Sequence, residues 1–373
     1  MNNKILGICN LHDSPSLGQL TKHRPLGALS FLSRYGLMDF TLSNFSNSGI
    51  NRILILTESK STAVHNHTRL GDVWVNNTKT GFLRIVVNEK MIDTPKFNTD
   101  IANIETNYSV VREANPDYIV IAPTFFLMSF DFRKMLDYHK ESGADITALY
   151  TKINNGKKNY INCDSFIIDK DNAISRSNIN LGEENKLNIS LETFILTRDA
   201  FDKLLQLSHK VSSIYGFRRM VDYVTNHHRM NVRGYEFNGY VVPILSSSDY
   251  VNKSFELLSY ENRQKLFHDD WPIYTTTHNT PPSLYSKEAD IKNSFVGNGS
   301  IIKGKVENSI IFRDVVIEKG AVVKNCILFT KTHVGKDVSL EYVVSDKAAD
   351  ISEEKNLHGT KEKALFIKPG EKI

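Results

Sequence analysis

The sequence predicts an α/β protein in two parts, a Rossmann-like domain with a largely parallel sheet followed by a C-terminal parallel β-helix. Three observations carry this. Strand-like and helix-like runs alternate from Lys4 to about Tyr150. After Lys287 an aliphatic residue recurs every sixth position. Between the two lies an extended stretch holding Pro272, Pro281 and Pro282. The expected organisation is a first domain over 1–250, a linker over 251–286, and a hexapeptide-repeat domain with a charged tail over 287–373.

In the first part, "KILGIC", "RILILT", "LRIVVN", "DYIVIA" and "DITALY" are short β-branched runs of the kind buried on both sheet faces. The helical runs between them are "SKSTAVHNHTRLG", "NIETNYSVVREA" and "DFRKMLDYHKESG", the last stopping at Gly143. In "LSNFSNSGINRILILT" (42–57) a Ser/Asn-rich helix ends at a glycine and feeds directly into a strand. Alternation of this type places ligands beyond the carboxyl ends of the strands. Residues 151–250 add less regular strands and a helix around "TRDAFDKLLQLSHKV"; then "FELLSYENRQKLFHD" reads as helical and "WPIYTTTHNTPPSLYS" as extended.

In the last part Ile310, Val316, Val322, Leu328, Val334 and Leu340 are expected to point into a β-helix, with glycine and polar turn residues at its corners. Ordinary antiparallel strands are the alternative, since a six-residue step also satisfies two-residue alternation. The final "SEEKNLHGTKEKALFIKPGEKI" reads as one more strand and a charged tail.

A formal charge of +4 comes from 46 basic and 42 acidic residues spread over 373. That balance argues against nucleic acid and tolerates phosphorylated ligands. Cys9, Cys163 and Cys326 are few, odd in number and flanked by apolar residues, as reduced core thiols of a cytoplasmic protein are. No zinc spacing occurs. "MNNKILGICN" has no signal-peptide core, and the longest apolar run, "YIVIAPTFFLM", is broken by Pro123 and too short to span a bilayer. A soluble, cytoplasmic chain without membrane contact is expected.

The stretch "YGLMDFTLSNFSNSGI" at 35–50 closely resembles a fingerprint of the glucose-1-phosphate adenylyltransferases, the ADP-glucose pyrophosphorylases. "LTKHR" at 20–24 and "MLDYHKESGADITALY" at 135–150 are similar to the same family, and a β-helix fits its C-terminal domain. The resemblance implies a nucleotidyltransferase domain, a left-handed β-helix, Mg2+ as cofactor of active members, and a place in glycogen biosynthesis, part of carbohydrate metabolism.

The departures decide what the resemblance implies for function. Active members carry a loop of the form "AGGxGxRLxPLT"; here Leu11 and His12 stand at the paired glycines, Ser14 at the next glycine and Ser16 at the arginine. The glycines let backbone N–H groups approach phosphates, and the arginine steadies pyrophosphate. Leu26 and Gly36 replace a lysine and an arginine, leaving Arg24 and Arg34 as cations. Phe125 and Pro243 stand where the resemblance places the two metal-binding aspartates, with Thr124 at the preceding glycine, and no "EKP" occurs between about 160 and 200. No catalytic residue, metal ligand or cofactor is therefore expected. The implied role is a non-catalytic regulatory subunit of a homo- or hetero-tetramer, modulating a catalytic GlgC-type subunit, with a small phosphorylated effector as a further ligand. The alternative is an active sugar nucleotidyltransferase making ADP-glucose from ATP and glucose 1-phosphate.

The residues expected to form a vestigial nucleotide pocket are Leu11, His12, Ser14, Ser16, Arg24, Asp39 and Asn44. For Asn44 and Asn47 the plainer reading is that one helical face fixes a neighbouring loop. Lys22, His23 and Arg24 form a small basic cluster, either solvated or a remnant anion site. His65 with His67, His227 with His228, and His333 have no spacing that argues for metal or acyl-transfer chemistry.

Overall fold

The computed structural model describes residues 4–77, 79–88 and 94–373. The first three residues of the N-terminal segment read above lie outside them. Strand Ile5–Asn10 forms the centre of a nine-stranded sheet, parallel to Arg52–Thr57 on one side and Tyr118–Ala122 on the other. Phe82–Val87 continues the parallel set beyond Arg52–Thr57. Its side chains are mostly half-buried, because it is the outer strand and its face is not fully covered.

Beyond Tyr118–Ala122 the direction changes. The long strand Leu187–Thr197 runs antiparallel to it and to Ile146–Ile153, and Val232–Glu236 lies parallel beside the latter. A hairpin of Asp164–Ile168 and Ile174–Ile179 completes the sheet. The sheet is thus mixed: Ile5–Asn10, Arg52–Thr57, Phe82–Val87 and Tyr118–Ala122 form a parallel block, Val232–Glu236 and Ile146–Ile153 a further parallel pair, and Leu187–Thr197 joins them by antiparallel pairing. "DITALY" has the composition of a buried parallel strand, but burial on both faces does not fix strand direction.

The helix Met38–Asn47 is buried over nearly its whole length, although six of its ten residues are polar. Gly7 in the central strand lets it sit close, since a Cβ there would lie 3.0 Å from the Phe45 ring. The helix ends on Gly49 at φ +79°, with Ile50 N bonding to Phe45 O at 2.9 Å, and the chain turns straight into the next strand. Helix Phe132–Ser142 starts on the Asp131 side chain, which accepts from Arg133 N, and stops at Gly143 in the left-handed region.

Residues Leu284–Ile367 form three five-stranded parallel sheets, the faces of a left-handed β-helix. From Val306 to Leu357 successive coils are 17 residues apart, with Val306, Val323, Leu340 and Leu357 stacked in register. The interior column runs through Val306, Ile311, Ile317, Val323, Leu328, Val334 and Leu340. Its steps run five, six and six residues around each coil. The six-residue frame is therefore right at Leu328, Val334 and Leu340 and one residue early at Ile310, Val316 and Val322. Val322 is 40% exposed, whereas Val323 is fully buried.

Ile310 and Ile327 are also fully buried, but outside the coil. With Phe312, Phe329 and Val344 they join the core of the first domain. One sheet of the β-helix therefore buries apolar residues on both faces, and hydrophobic burial fixes it against the α/β part. Among the described residues no helix is long and apolar enough to cross a membrane. Cys9, Cys163 and Cys326 are free and buried, and burial pushes each thiol up.

Candidate functional site

The first strand delivers the chain to the loop where phosphates were expected. Leu11 N still bonds to Leu56 O at 2.9 Å, which prolongs the strand, and its side chain packs beside Gly27. His12 is 2% exposed, and its N–H bonds to Asn10 Oδ1 at 3.0 Å. Asn103 Nδ2 donates to its Nε2 at 3.0 Å, so the ring proton sits on Nδ1, 4.0 Å from Glu58. Burial lowers the His12 pKa, and the ring is a neutral packing element. Ser14 Oγ donates to Leu11 O at 3.1 Å, and Ser16 is exposed.

Leu11, Ser14, Ser16, Arg24, Glu58 and Lys60 line what is left, a cavity of about 200 Å³. Small-molecule sites usually enclose roughly 300–1,000 Å³. Arg24 is 5% exposed, and its Nη2 bonds both oxygens of Asp346 in the β-helix, at 2.6 and 2.5 Å. Its charge is already answered. Lys22 and His23 face solvent, so the basic cluster of the sequence is divided between surface and interior. At Gly36 a Cβ would lie 2.9 Å from His67 Nε2, which leaves no room for an arginine.

Asp39 and Asn44 lie apart from this cavity, on the buried helix. Asp39 accepts from Gly36 N at 2.8 Å and from His67 Nε2 at 2.5 Å. Asn44 donates to Met128 O at 2.9 Å and accepts from Phe130 N at 3.1 Å and Trp271 Nε1 at 2.9 Å. Asn47 donates to Pro272 O, while Tyr274 N donates to Ser43 Oγ at 2.8 Å. The polar residues of the fingerprint thus clasp the extended segment 271–274 and the turn after Tyr118–Ala122. Of the seven pocket residues, Leu11, Ser14, Ser16 and Arg24 meet; His12 lies buried beside them, and Asp39 and Asn44 do not join.

Phe125 and Pro243 are neighbours. The short strands Phe126–Leu127 and Val242–Pro243 pair antiparallel with Pro243 opposite Phe126, and Ile244 N bonds to Phe125 O at 2.8 Å. The Phe125 and Phe126 rings are buried with centroids 4.8 Å apart. Mg2+ requires oxygen ligands in near-octahedral array. An aromatic ring and a proline supply none, so these residues do not fit the metal of active family members. Among the described residues no group of three potential metal ligands occurs either.

One feature is invisible to sequence reasoning. A cavity of about 940 Å³ opens beside Pro243, with Lys152, Lys158, Lys186 and Lys253 on its walls. Lys152 pairs with Glu236 at 2.6 Å and Lys253 with Glu256 at 2.7 Å. Among the described residues Lys158 and Lys186 have no carboxylate partner, which leaves the cavity attractive to an anion. These lysines are spread over a hundred residues without a repeating interval, so no spacing could reveal them. Behind its Asn162 wall, Arg218 donates to the Asn162 carbonyl and pairs with both Asp164 and Glu192. Glu192 is buried at a bulge, with φ +49°, and burial pushes it up to about 8.

Comparison with known proteins agrees with this architecture. Residues 16–160 match a nucleotidyl transferase family model, and residues 282–363 match the GlmU-like C-terminal hexapeptide model. A glucose-1-phosphate adenylyltransferase of Clostridium perfringens strain 13 is 28% identical over 322 residues, covering 85% of this chain and 81% of its own. One of Lachnospira eligens is 29% identical over 306 residues, covering 81% and 71%. The glycogen biosynthesis protein GlgD of Bacillus subtilis is 29% identical over 371 residues, covering 99% and 97%. With both domains matched in order, the fingerprint on its buried helix and a GlgD relative aligned end to end, the chain is similar over both of its domains to the glucose-1-phosphate adenylyltransferases and to GlgD.

Proposed function

We propose that this chain is a non-catalytic, regulatory subunit in glycogen synthesis, a GlgD-type protein that assembles in the cytoplasm with a catalytic GlgC-type glucose-1-phosphate adenylyltransferase and modulates it. The observation that carries this reading is the apolar pair of Phe125 and Pro243. Nucleotidyl transfer needs metal charge on the α-phosphate as the sugar phosphate attacks. The filled loop around Leu11 and His12 supports the same reading, because it leaves too little volume for a nucleotide.

A subunit without chemistry acts by binding the catalytic partner's conformations unequally. The lysine-lined cavity beside Pro243 supports a small phosphorylated effector as its ligand. The deciding measurement is ADP-glucose formation by the purified chain, by its catalytic homologue, and by the two mixed. Magnesium-dependent turnover by this chain alone, surviving repurification, would support the alternative, an active sugar nucleotidyltransferase.

A further inference from the structure

A third cavity, of about 540 Å³, lies between helix Ser247–Glu256 and one corner of the β-helix. Asn252, Phe255 and Glu256 line it from the helix; Asn308, Asn325 and Tyr342 line it from three successive coils. Each of these three corner residues has a left-handed backbone, with φ of +47°, +51° and +52°. Asparagine tolerates that region better than most residues, which explains its place in the column. Asn293 Nδ2 donates to Asn308 Oδ1 at 2.8 Å, and Asn308 Nδ2 to Asn325 Oδ1 at 2.6 Å. The amides are thereby held in a row whose members repeat at the strand spacing of about 4.8 Å.

The chemistry of the groove is polar but nearly neutral. Glu256, its one carboxylate, is taken up by Lys253 at 2.7 Å and the Tyr240 hydroxyl at 2.8 Å. Lys361 is its one cation. A phosphate would meet too little positive charge, and a metal ion too few oxygens. Among the described residues the Asn325 Nδ2 and the Tyr342 hydroxyl have no hydrogen-bond partner. The Phe255 and Tyr342 rings are half-buried at the walls. Fixed amides offer paired donors and acceptors to vicinal hydroxyls, and aromatic rings cover the C–H faces of sugar rings.

We propose that this groove binds a neutral glucan, a chain of several glucose units lying along the asparagine column. The choice of glucose rests on the glycogen-synthesis reading above; the class, a neutral polyhydroxylated oligomer, rests on the groove. The test is electrophoresis of the full chain in native gels with and without glycogen, with maltoheptaose as competitor. Two variants serve, Tyr342→Asn, which keeps a residue suited to the corner, and Asn252→Ala on the exposed helix face; both are checked for unchanged melting. The parent should be retarded by glycogen, maltoheptaose should release it, and each variant should bind roughly tenfold more weakly. An unretarded parent, undiminished binding by both variants, or release by inorganic phosphate and not by maltoheptaose would overturn the proposal. Stimulation of the catalytic homologue, assayed without glucan, separates the two readings. Stimulation without retardation removes only the glucan site, and retardation without stimulation removes only the regulatory role.

Discussion

The Arg24 guanidinium and the Asp346 carboxylate meet at 2.6 Å, 322 residues apart in sequence, and both are almost wholly buried. The Phe329 ring lies 5.8 Å from the Arg24 guanidinium carbon, and burial together with Arg24 lowers the pKa of neighbouring Lys347. A side chain that lines the cavity beside Leu11 is thus an electrostatic tie between the α/β part and the β-helix.

Removing one member of such a pair leaves the other charged in a low-dielectric setting. Arg24→Ala or Asp346→Ala should each destabilise the chain by about 3–5 kcal/mol. The double replacement Arg24→Met with Asp346→Leu should recover most of that loss. Urea unfolding of the three variants checks it, and additive losses in the double variant would mean that the pair is not a coupled unit.

The β-helix register gives a sharper test, because adjacent valines face opposite ways. Val323→Asp puts an unpaired carboxylate inside the coil and should cost several kcal/mol. Val322→Asp points outward and should stay within about 0.5 kcal/mol of the parent. Thermal melting of both distinguishes steps of five, six and six residues from a uniform six-residue repeat; equal losses would refute the assigned faces.

The sequence made these features legible to different depths. The elements themselves follow from local chemistry: Gly143 and Gly49 end helices at positive φ, and alternation gives the parallel strands around Ile5–Asn10. Strand direction after Ala122 does not, because Leu187–Thr197 is chosen by long-range pairing that no local pattern encodes. The β-helix showed its period but not its phase, since in "AVVKN" two consecutive valines satisfy the pattern equally and only stacking on Val306 selects Val323. At the site, Phe125 and Pro243 stand out only through the resemblance, and the structure makes them neighbours. Glu192 and Arg218 do not stand out, because a buried charge differs from an exposed one only in its surroundings.

Glu192 makes the stability of the fold depend on pH. Burial raises its folded-state pKa to about 8, against an ordinary value near 4.5, and Arg218 only partly opposes this because Asp164 shares the guanidinium. Between these values the folded chain holds a proton that the unfolded chain has released, so this group's contribution to stability falls as pH rises. Glu192→Gln removes the effect. The stability of the variant relative to the parent should climb from pH 5 to pH 8, by at most about 1.4 kcal/mol per pH unit, and level off above. A difference between the two denaturation profiles that is flat across this range would show Glu192 ionised throughout.

The last expectation concerns whether the missing chemistry can be put back. Phe125→Asp restores one carboxylate, yet Pro243 still denies a second ligand and the Leu11–His12 segment still fills the phosphate loop. Phe125 is 2% exposed, so the new carboxylate lies in an apolar setting and should cost a few kcal/mol of stability. The isolated variant should remain inactive in ADP-glucose formation. Mixed with the catalytic homologue below its melting range, it should stimulate as the parent does, because stimulation depends on contact between subunits and not on this site. The coupling expected is about 1–3 kcal/mol, a five- to 150-fold change in apparent affinity for substrate or effector. Efficient turnover by Phe125→Asp alone would mean that a working site survives elsewhere in the cleft. A parent chain that neither binds its homologue nor changes its kinetics would remove the regulatory role itself, since a subunit shifts a partner's equilibrium only through unequal affinity for its states.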